Sequence, residues 1–238
     1  MELRITAISD MHYTPEPKVQ VPKRYGDYSP AFVDAAIDMI DNEIRPDVLL
    51  VAGDLVDLPE QEELLKELAP HILKAKSRMI VIPGNHDPAP EIFFKYLPEP
   101  PPYVDINGHR IAIFPNDKGA NGYKATRAPK EDFRFGPDDG TPVIMFQHVP
   151  IAIDGETSNV HAYENAEGII DNALSHNVVF SVGAHFHGGM PPYFGCRLPH
   201  LMIPSLTEAP CSFISFTFRD SRLINYIINY MNYKEITK

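Results

Sequence analysis

Cysteine is scarce in this sequence. Among 238 residues only Cys196 and Cys211 occur, too few for the disulfide framework that staples small secreted domains. They can form at most one pair, and a reduced, cytoplasmic chain is the simpler reading. Long hydrophobic runs are missing too. No stretch approaches the roughly 18 uninterrupted apolar residues of a membrane span. The first apolar run carries Glu2 and is too short for a signal peptide. No membrane partner is expected. A basic excess is also absent. The formal net charge is −11, which argues against long nucleic acid as a partner, because that binding rests on Lys and Arg. The acidity has a second meaning: carboxylates that hold cations would be partly neutralised in the working protein. No repeat and no linker is found, so residues 1–238 are expected to form one domain. The oligomeric state is left open.

What is present suffices for a sizeable core: 44% of the residues are apolar and 22% charged. Leu3 to Ile8 reads as a strand ending at Ser9-Asp10-Met11-His12. A long Pro- and Tyr-rich loop, Thr14 to Ser29, follows. Pro30 to about Arg45 is helical through Phe32, Ala36, Ile37, Ile40 and Ile44, with Pro46 as its stop. Val48 to Ala52 is a buried strand ending in Gly53-Asp54-Leu55-Val56-Asp57. Glu60 to Lys76 is a helix with an apolar stripe of Leu64, Leu65, Leu68, Ile72 and Leu73, which Pro70 threatens to split. Arg78 to Ile82 is a third strand. Strand, helix, strand, helix, strand argues for a parallel sheet with right-handed crossovers. Asn107-Gly108 between Tyr103–Ile106 and His109–Phe114 signals a hairpin. Residues 116–141 are a polar surface excursion. Val143 to Phe146 and Val178 to Val182 are further buried strands, with a helix from Glu164 to about His176 between them. Strands around Leu198–Ile203, Ser212–Phe218 and Leu223–Ile228 complete the chain.

The chain is organised around Val81-Ile82-Pro83-Gly84-Asn85-His86-Asp87. Pro83 and Gly84 end a strand abruptly, and three polar side chains follow where open α/β sheets put their ligands. Four other strand ends carry similar residues: Asp10 and His12, Asp54, His148, and His185 with His187. The pairs Asp10/His12 and His185/His187 are expected to share a direction through strand alternation. Seven donors, Asp10, His12, Asp54, Asn85, His148, His185 and His187, can then serve two cations, with Asp54 as the natural bridge. Mixed imidazole, carboxylate and amide donors suit zinc, iron or manganese better than calcium or magnesium. Two such cations about 3.5–4 Å apart can share and activate a water and clamp phosphoryl oxygens during an in-line displacement. A leaving alkoxide needs a proton, and His86 is assigned as the acid that gives it. Asp57 or Asp87 would hold its tautomer.

Asp-x-His, Gly-Asp-x-x-Asp, Gly-Asn-His-Asp, a lone His and His-x-His, in that order, resemble the calcineurin-like metallophosphoesterase superfamily, near the class III cyclic-nucleotide phosphodiesterase pattern. The resemblance runs from Asp10 to His187. It implies an α/β fold, a four-layer αββα sandwich of two mixed sheets flanked by helices. It implies Asp10, His12, Asp54 and His187 on one metal, and Asp54, Asn85, His148 and His185 on the other. It also implies His86 as proton donor, oriented by Asp57. Ala184 stands where the last motif usually has glycine. Leu58 stands where the protein Ser/Thr phosphatases have Arg, and Gln147 where many relatives have His.

The expected function is hydrolysis of a phosphate ester, with a diester on a small nucleotide-like molecule favoured. Phosphomonoesterase, nuclease and nucleotide pyrophosphohydrolase are the enzymatic alternatives. A silent metal-binding scaffold is the alternative outside catalysis; such a chain should lack ligands or the acid histidine. His71, His109, His161, His176 and His200 are expected to be structural, with His161 the one to watch because it lies in the loop after the His148 strand. Lys18, Lys23 and Arg24 are expected on a solvated loop face rather than at a phosphate, and Tyr13 and Tyr25 in packing rather than stacked on a base. Residues 13–29, 115–141 and 154–163 are expected to set specificity.

Overall fold

The computed structural model of the chain describes residues 1–16, 21, 23–115, 118–119, 125–127 and 131–238. The expectation for Lys18, and much of that for the 116–141 excursion, lies outside these residues. The first sheet is built from β1 (Glu2–Ile8), β2 (Val48–Val51) and β3 (Met79–Val81). Two helices lie between these strands, α1 (Ser29–Met39) and α2 (Glu62–Ile72). A short α3 (Pro90–Phe93) leads to the hairpin β4 (Tyr103–Ile106) and β5 (His109–Phe114). A two-stranded ribbon, β6 (Lys118–Gly119) and β7 (Ala125–Thr126), precedes β8 (Val143–Gln147). Then come α4 (Ala166–Ser175), β9 (Val178–Gly183), β10 (Met190–Tyr193) and β11 (His200–Met202). β12 (Ser212–Arg219), β13 (Arg222–Tyr230) and α5 (Tyr233–Ile236) close the chain.

One sheet runs β13-β12-β1-β2-β3 and the other β10-β11-β9-β8-β5-β4. β1, β2 and β3 are parallel, as are β5, β8, β9 and β11. The strands turned the other way lie outside each parallel block. β2 shows why the layers stack. Val48 and Leu50 enter the core between the sheets, with Leu3, Ile5, Ile113, Ile144, Phe146 and Phe180. Leu49 and Val51 face the other way and pack with Phe32, Val33, Leu65 and Leu68 under α1 and α2. A strand buried on both faces is apolar throughout rather than alternating. The outer face of the second sheet packs Met145 and Val178 against Ile169, Ile170 and Ala173 of α4. The result is the expected four-layer αββα arrangement of two mixed sheets.

Several local expectations are corrected. α1 passes into a π-helical turn, Ile40–Ile44, that ends on left-handed Arg45. Pro70 does not split α2; the helix runs through it and stops two residues later, so the missing N–H falls in the final turn. Leu73 lies beyond that stop and is 48% exposed rather than part of the stripe. Short α3 and β10 were not expected. β10 contains Pro191 and Pro192, which only an edge strand tolerates, and it is one. Neither cysteine is in a disulfide. Among the described residues no helix is long and apolar enough to cross a membrane.

Candidate metal centre

The carboxyl ends of the parallel strands meet at one rim. Beyond β1 and β2 the two chains stay paired: Asp10 N–H donates to the Gly53 carbonyl at 3.0 Å, and Met11 and His12 N–H both donate to the Asp54 carbonyl. The exit of β3 closes on that of β2. A Cβ on Gly53 would stand 2.2 Å from Gly84 N, and one on Gly84 would stand 2.2 Å from Asp54 Oδ1. Only two glycines permit this contact. Asp87 ties the same loops from beneath. Its buried carboxylate accepts the N–H groups of Leu55 at 2.8 Å, Val56 at 3.1 Å and Gly84 at 2.8 Å. Burial, then the Asp54 charge, pushes the Asp87 pKa up. The second sheet joins through His148, whose Nδ1–H reaches the Ala52 carbonyl at 2.6 Å.

Asp10, His12, Asp54 and His185 have φ of 53°, 44°, 50° and 64°. Left-handed backbone is uncommon outside glycine, though Asp and His tolerate it better than most. Strand alternation therefore does not aim these side chains as expected; sharp left-handed exits do. The two pairs also behave differently. Asp10 and His12 stay together, whereas His185 and His187 divide between two clusters.

The first cluster holds Asp10, His12, Asp54 and His187, with ligand atoms all within 4.8 Å of one another. His12 Nε2 lies 3.0 Å from His187 Nε2, 3.6 Å from Asp54 Oδ2 and 3.9 Å from Asp10 Oδ1. The second cluster holds Asp54, His148 and His185. His148 Nε2 is 3.3 Å from Asp54 Oδ2 and 3.1 Å from Asn85 Oδ1. All seven donors expected from the sequence are thus brought to one rim, with Asp54 in both clusters. His161 lies beside the second, its ring 5.7 Å from that of His185.

The donor set fits cations. Both Asp10 carboxylate oxygens and Asp54 Oδ2 are buried and accept no hydrogen bond, a costly state unless a positive charge offsets it. Burial raises Asp54, but the His148, His12 and His86 imidazoles outweigh it and hold the carboxyl well below the usual range. Burial lowers His148, yet the Asp54 carboxylate lifts it to about 10. Burial, then His148, drops His185 to about 3, and burial lowers His12. Lowered in this way, His12 and His185 are neutral imidazoles with the lone pairs that metals need, whereas His148, lifted by Asp54, must release its proton as a cation binds.

His86 stands on the solvent side of this set, half-buried. Its main-chain N–H donates to Asp54 Oδ1 at 2.8 Å, and its Nδ1 meets the Asp57 main-chain carbonyl at 2.7 Å. The Asp57 carboxylate is nearby but also faces His12 Nδ1 at 3.5 Å and Arg24 Nη1 at 3.8 Å. Asp87, the other orienting candidate, spends its oxygens on main-chain donors. A cavity of about 80 Å³ opens beside Asn85 and His148, walled by Pro88, Pro90 and Phe114.

The profile of the calcineurin-like phosphoesterase family matches residues 3–189. The chain belongs to that family. Membership implies a dinuclear metal centre, for which the Asp/His cluster is the plausible ligand set. No curated protein sequence matches the chain. Among solved structures, a dimetal phosphatase from Danio rerio superposes with a TM-score of 0.69 at 12% identity, covering 96% of this chain and 99% of that one. TT1561 of Thermus thermophilus gives 0.65 at 12% identity, covering 97% and 99%. Purple acid phosphatase PPD1 from yellow lupin seeds gives 0.58 at 13% identity, covering 100% of this chain and 55% of its own. At these identities the likeness is one of fold.

Two residues at the site escaped the sequence reading. Arg24, expected on a solvated face, has a side chain only 12% exposed and bonded to Glu208 and His187. Glu208, given no role from sequence, reaches His187 Nδ1 at 2.9 Å. A signal existed for Glu208: it follows β11, a further parallel strand exit beyond the five that carry the expected donors. Burial of Arg24 had no sequence signal. The other bland histidines behave as expected. His71 pairs with Asp34, and His176 stacks on Phe135. His109 bonds the Asn107 and Asp220 carbonyls, and His200 the Leu198 carbonyl. Tyr13 and Tyr25 pack, the first bonded to Glu67 and the second stacked on Phe32 and Tyr233.

Proposed function

We propose that this metal-dependent phosphoesterase is a phosphodiesterase acting on a small nucleotide-like ester, with two manganese, iron or zinc ions. The observation that carries the reading is Asp54, shared by two donor clusters with His86 beside it. Bound there, two cations would supply an activated water and charge stabilisation for the phosphoryl group. The chain's own residues do the rest. Asp10, His12, Asp54 and His187 would hold one ion, and Asp54, Asn85, His148 and His185 the other. A carbonyl only accepts, so the contact with Asp57 commits His86 Nδ1–H, and Nε2 is the atom left to protonate the leaving oxygen. The Gly53–Gly84 contact holds Asp54 and His86 on one rigid support.

The motif pattern near the class III cyclic-nucleotide enzymes supports a diester. The names of two fold neighbours, a dimetal phosphatase and a purple acid phosphatase, favour a monoester as the second reading. Manganese-loaded protein should hydrolyse bis-p-nitrophenyl phosphate faster than p-nitrophenyl phosphate. Turnover of the monoester alone would move the reading to phosphatase. Turnover of neither, with metal bound, would leave a scaffold.

A further inference from the structure

We propose that Glu208 is a positioning residue that fixes the tautomer of His187, with Arg24 holding Glu208 in place; the inference rests on the two-metal reading above. His187 Nδ1 has two neighbours, Arg24 Nη2 at 2.8 Å and Glu208 Oε2 at 2.9 Å. They demand opposite tautomers. A guanidinium only donates, so a bond from Arg24 requires a lone pair on Nδ1 and puts the proton on Nε2. A carboxylate only accepts, so a bond to Glu208 requires Nδ1–H and leaves the lone pair on Nε2. Nε2 is the atom that faces the cluster, 3.0 Å from His12 Nε2 and 3.5 Å from Asp10 Oδ1. Only the Glu208 bond leaves His187 able to ligate. Arg24 finds a better acceptor than imidazole in Glu208 itself, which it reaches through Nε at 3.0 Å and Nη2 at 2.9 Å.

The main chain reinforces the arrangement. Arg24 and Glu208 form an antiparallel bridge, flanked by Tyr25 N–H to the Thr207 carbonyl and Ala209 N–H to the Lys23 carbonyl. Glu208 N–H donates to Ser205 Oγ at 3.0 Å, and Ser205 Oγ–H donates to the Asp10 carbonyl at 2.7 Å. The carboxylate that sets His187 is thus tied to the strand exit that presents Asp10. A carboxylate on the far nitrogen of a ligating histidine typically changes metal affinity by about 10–100-fold.

Titration of the metal-free protein with Mn²⁺ alone, with metal content counted after dialysis, tests this. The native chain should take two ions. Glu208→Ala should lose about 10–100-fold in affinity at one site and keep the other. Glu208→Gln, which retains an accepting oxygen, should lose less at the same site, and Arg24→Ala less than Glu208→Ala. An ordinary surface ion pair would give equal, small losses for Arg24→Ala and Glu208→Ala and no rescue by Gln. Native affinity at both sites in Glu208→Ala overturns the proposal; should that variant not fold, native affinity in both Glu208→Gln and Arg24→Ala does so. A native chain that takes up no Mn²⁺ overturns the two-metal reading instead.

Discussion

Gly84→Ala should disable the centre without replacing a ligand. The added Cβ would sit 2.2 Å from Asp54 Oδ1 and 2.5 Å from Asp54 N. Ordinary contact is about 3.5 Å, so the loops after β2 and β3 must separate by about 1 Å. One obstacle is main chain, so a rotamer change cannot relieve the clash. Side-chain bonds cross this junction from Leu55 N–H and Val56 N–H to Asp87 and from His86 N–H to Asp54, and Gly84 N–H to Asp87 braces it. Overpacking of this kind costs about 1–3 kcal/mol. For a chain of this size that lowers Tm by about 2–12 °C. The shift is to be read in EDTA, so that packing is measured apart from metal binding. Asp54 belongs to both clusters, so its displacement should weaken both cation sites. A 1 Å misplacement of reacting groups costs about 10²-fold in rate. Gly168→Ala is the control. It lies in α4, where the new Cβ meets nothing within 4 Å, and should gain about 0.5–1 kcal/mol from helix propensity. Gly84→Ala protein that binds two Mn²⁺ with native affinity and turns over at the native rate would refute the contact argument.

His86→Ala should lower kcat by about 10²–10⁴-fold on an alkyl ester, whose leaving alkoxide needs a proton, and far less on a nitrophenyl ester; equal losses would remove His86 as the acid. Asp57→Asn keeps the main-chain carbonyl that meets His86 Nδ1, so its kcat should fall less than that of His86→Ala, and an equal fall would return the orienting role to the carboxylate. Arg110 is buried, bonded to Asp105, Asp139 and the Pro137 carbonyl, and Arg110→Met should cost about 2 kcal/mol in urea denaturation, between exposed and buried ion-pair values. Arg110, then Thr141, holds the Asp139 carboxyl well below the usual range. A depressed carboxyl contributes stability above its unfolded pKa, so the gap between native and Arg110→Met protein should be full above about pH 4 and shrink in stronger acid; a gap that widens in acid would refute this.

Much of the architecture was legible because its signals are local. Apolar four- and five-residue runs such as Val48–Val51 have no polar face to show, which marks strands covered on both sides. Asn107-Gly108 specifies a tight turn without outside help. The donors were legible for a related reason: each follows a strand exit, and parallel exits share a rim. The means of convergence was not. Left-handed backbone at Asp10, His12 and Asp54 accompanies pairing between segments more than 40 residues apart, as where Met11 and His12 both donate to the Asp54 carbonyl, and at His185 it follows the Ala184 bond to the His148 carbonyl, 36 residues away. Propensity within either segment does not contain it. Arg24 fails for the same reason. Its loop composition reads as solvated, and only the bridge to Glu208, 184 residues away, buries it.

These long-range features have one physical origin. Left-handed backbone at a non-glycine residue costs about 1–2 kcal/mol, and four such residues together rival a sizeable part of the 5–15 kcal/mol that keeps a domain folded. Repeated strain at one rim persists only when the surroundings over-determine it. The surroundings do so here through main-chain contacts. Asp87 bonds three amides, Ser205 and Thr207 hydroxyls donate to the Asp10 and Met11 carbonyls, and Gly53 closes on Gly84. His86 and His148 have Nδ1 at a carbonyl as well. A centre built this way keeps its donor directions without relying on mobile side chains to support them. His187 differs from His12: the carboxylate facing His12 Nδ1 is the buried Asp57, whereas the one at His187 Nδ1 is the partly exposed Glu208, shared with Arg24. The donor most open to adjustment by a single substitution is therefore His187, and that adjustment should reach one ion of the pair and spare the other.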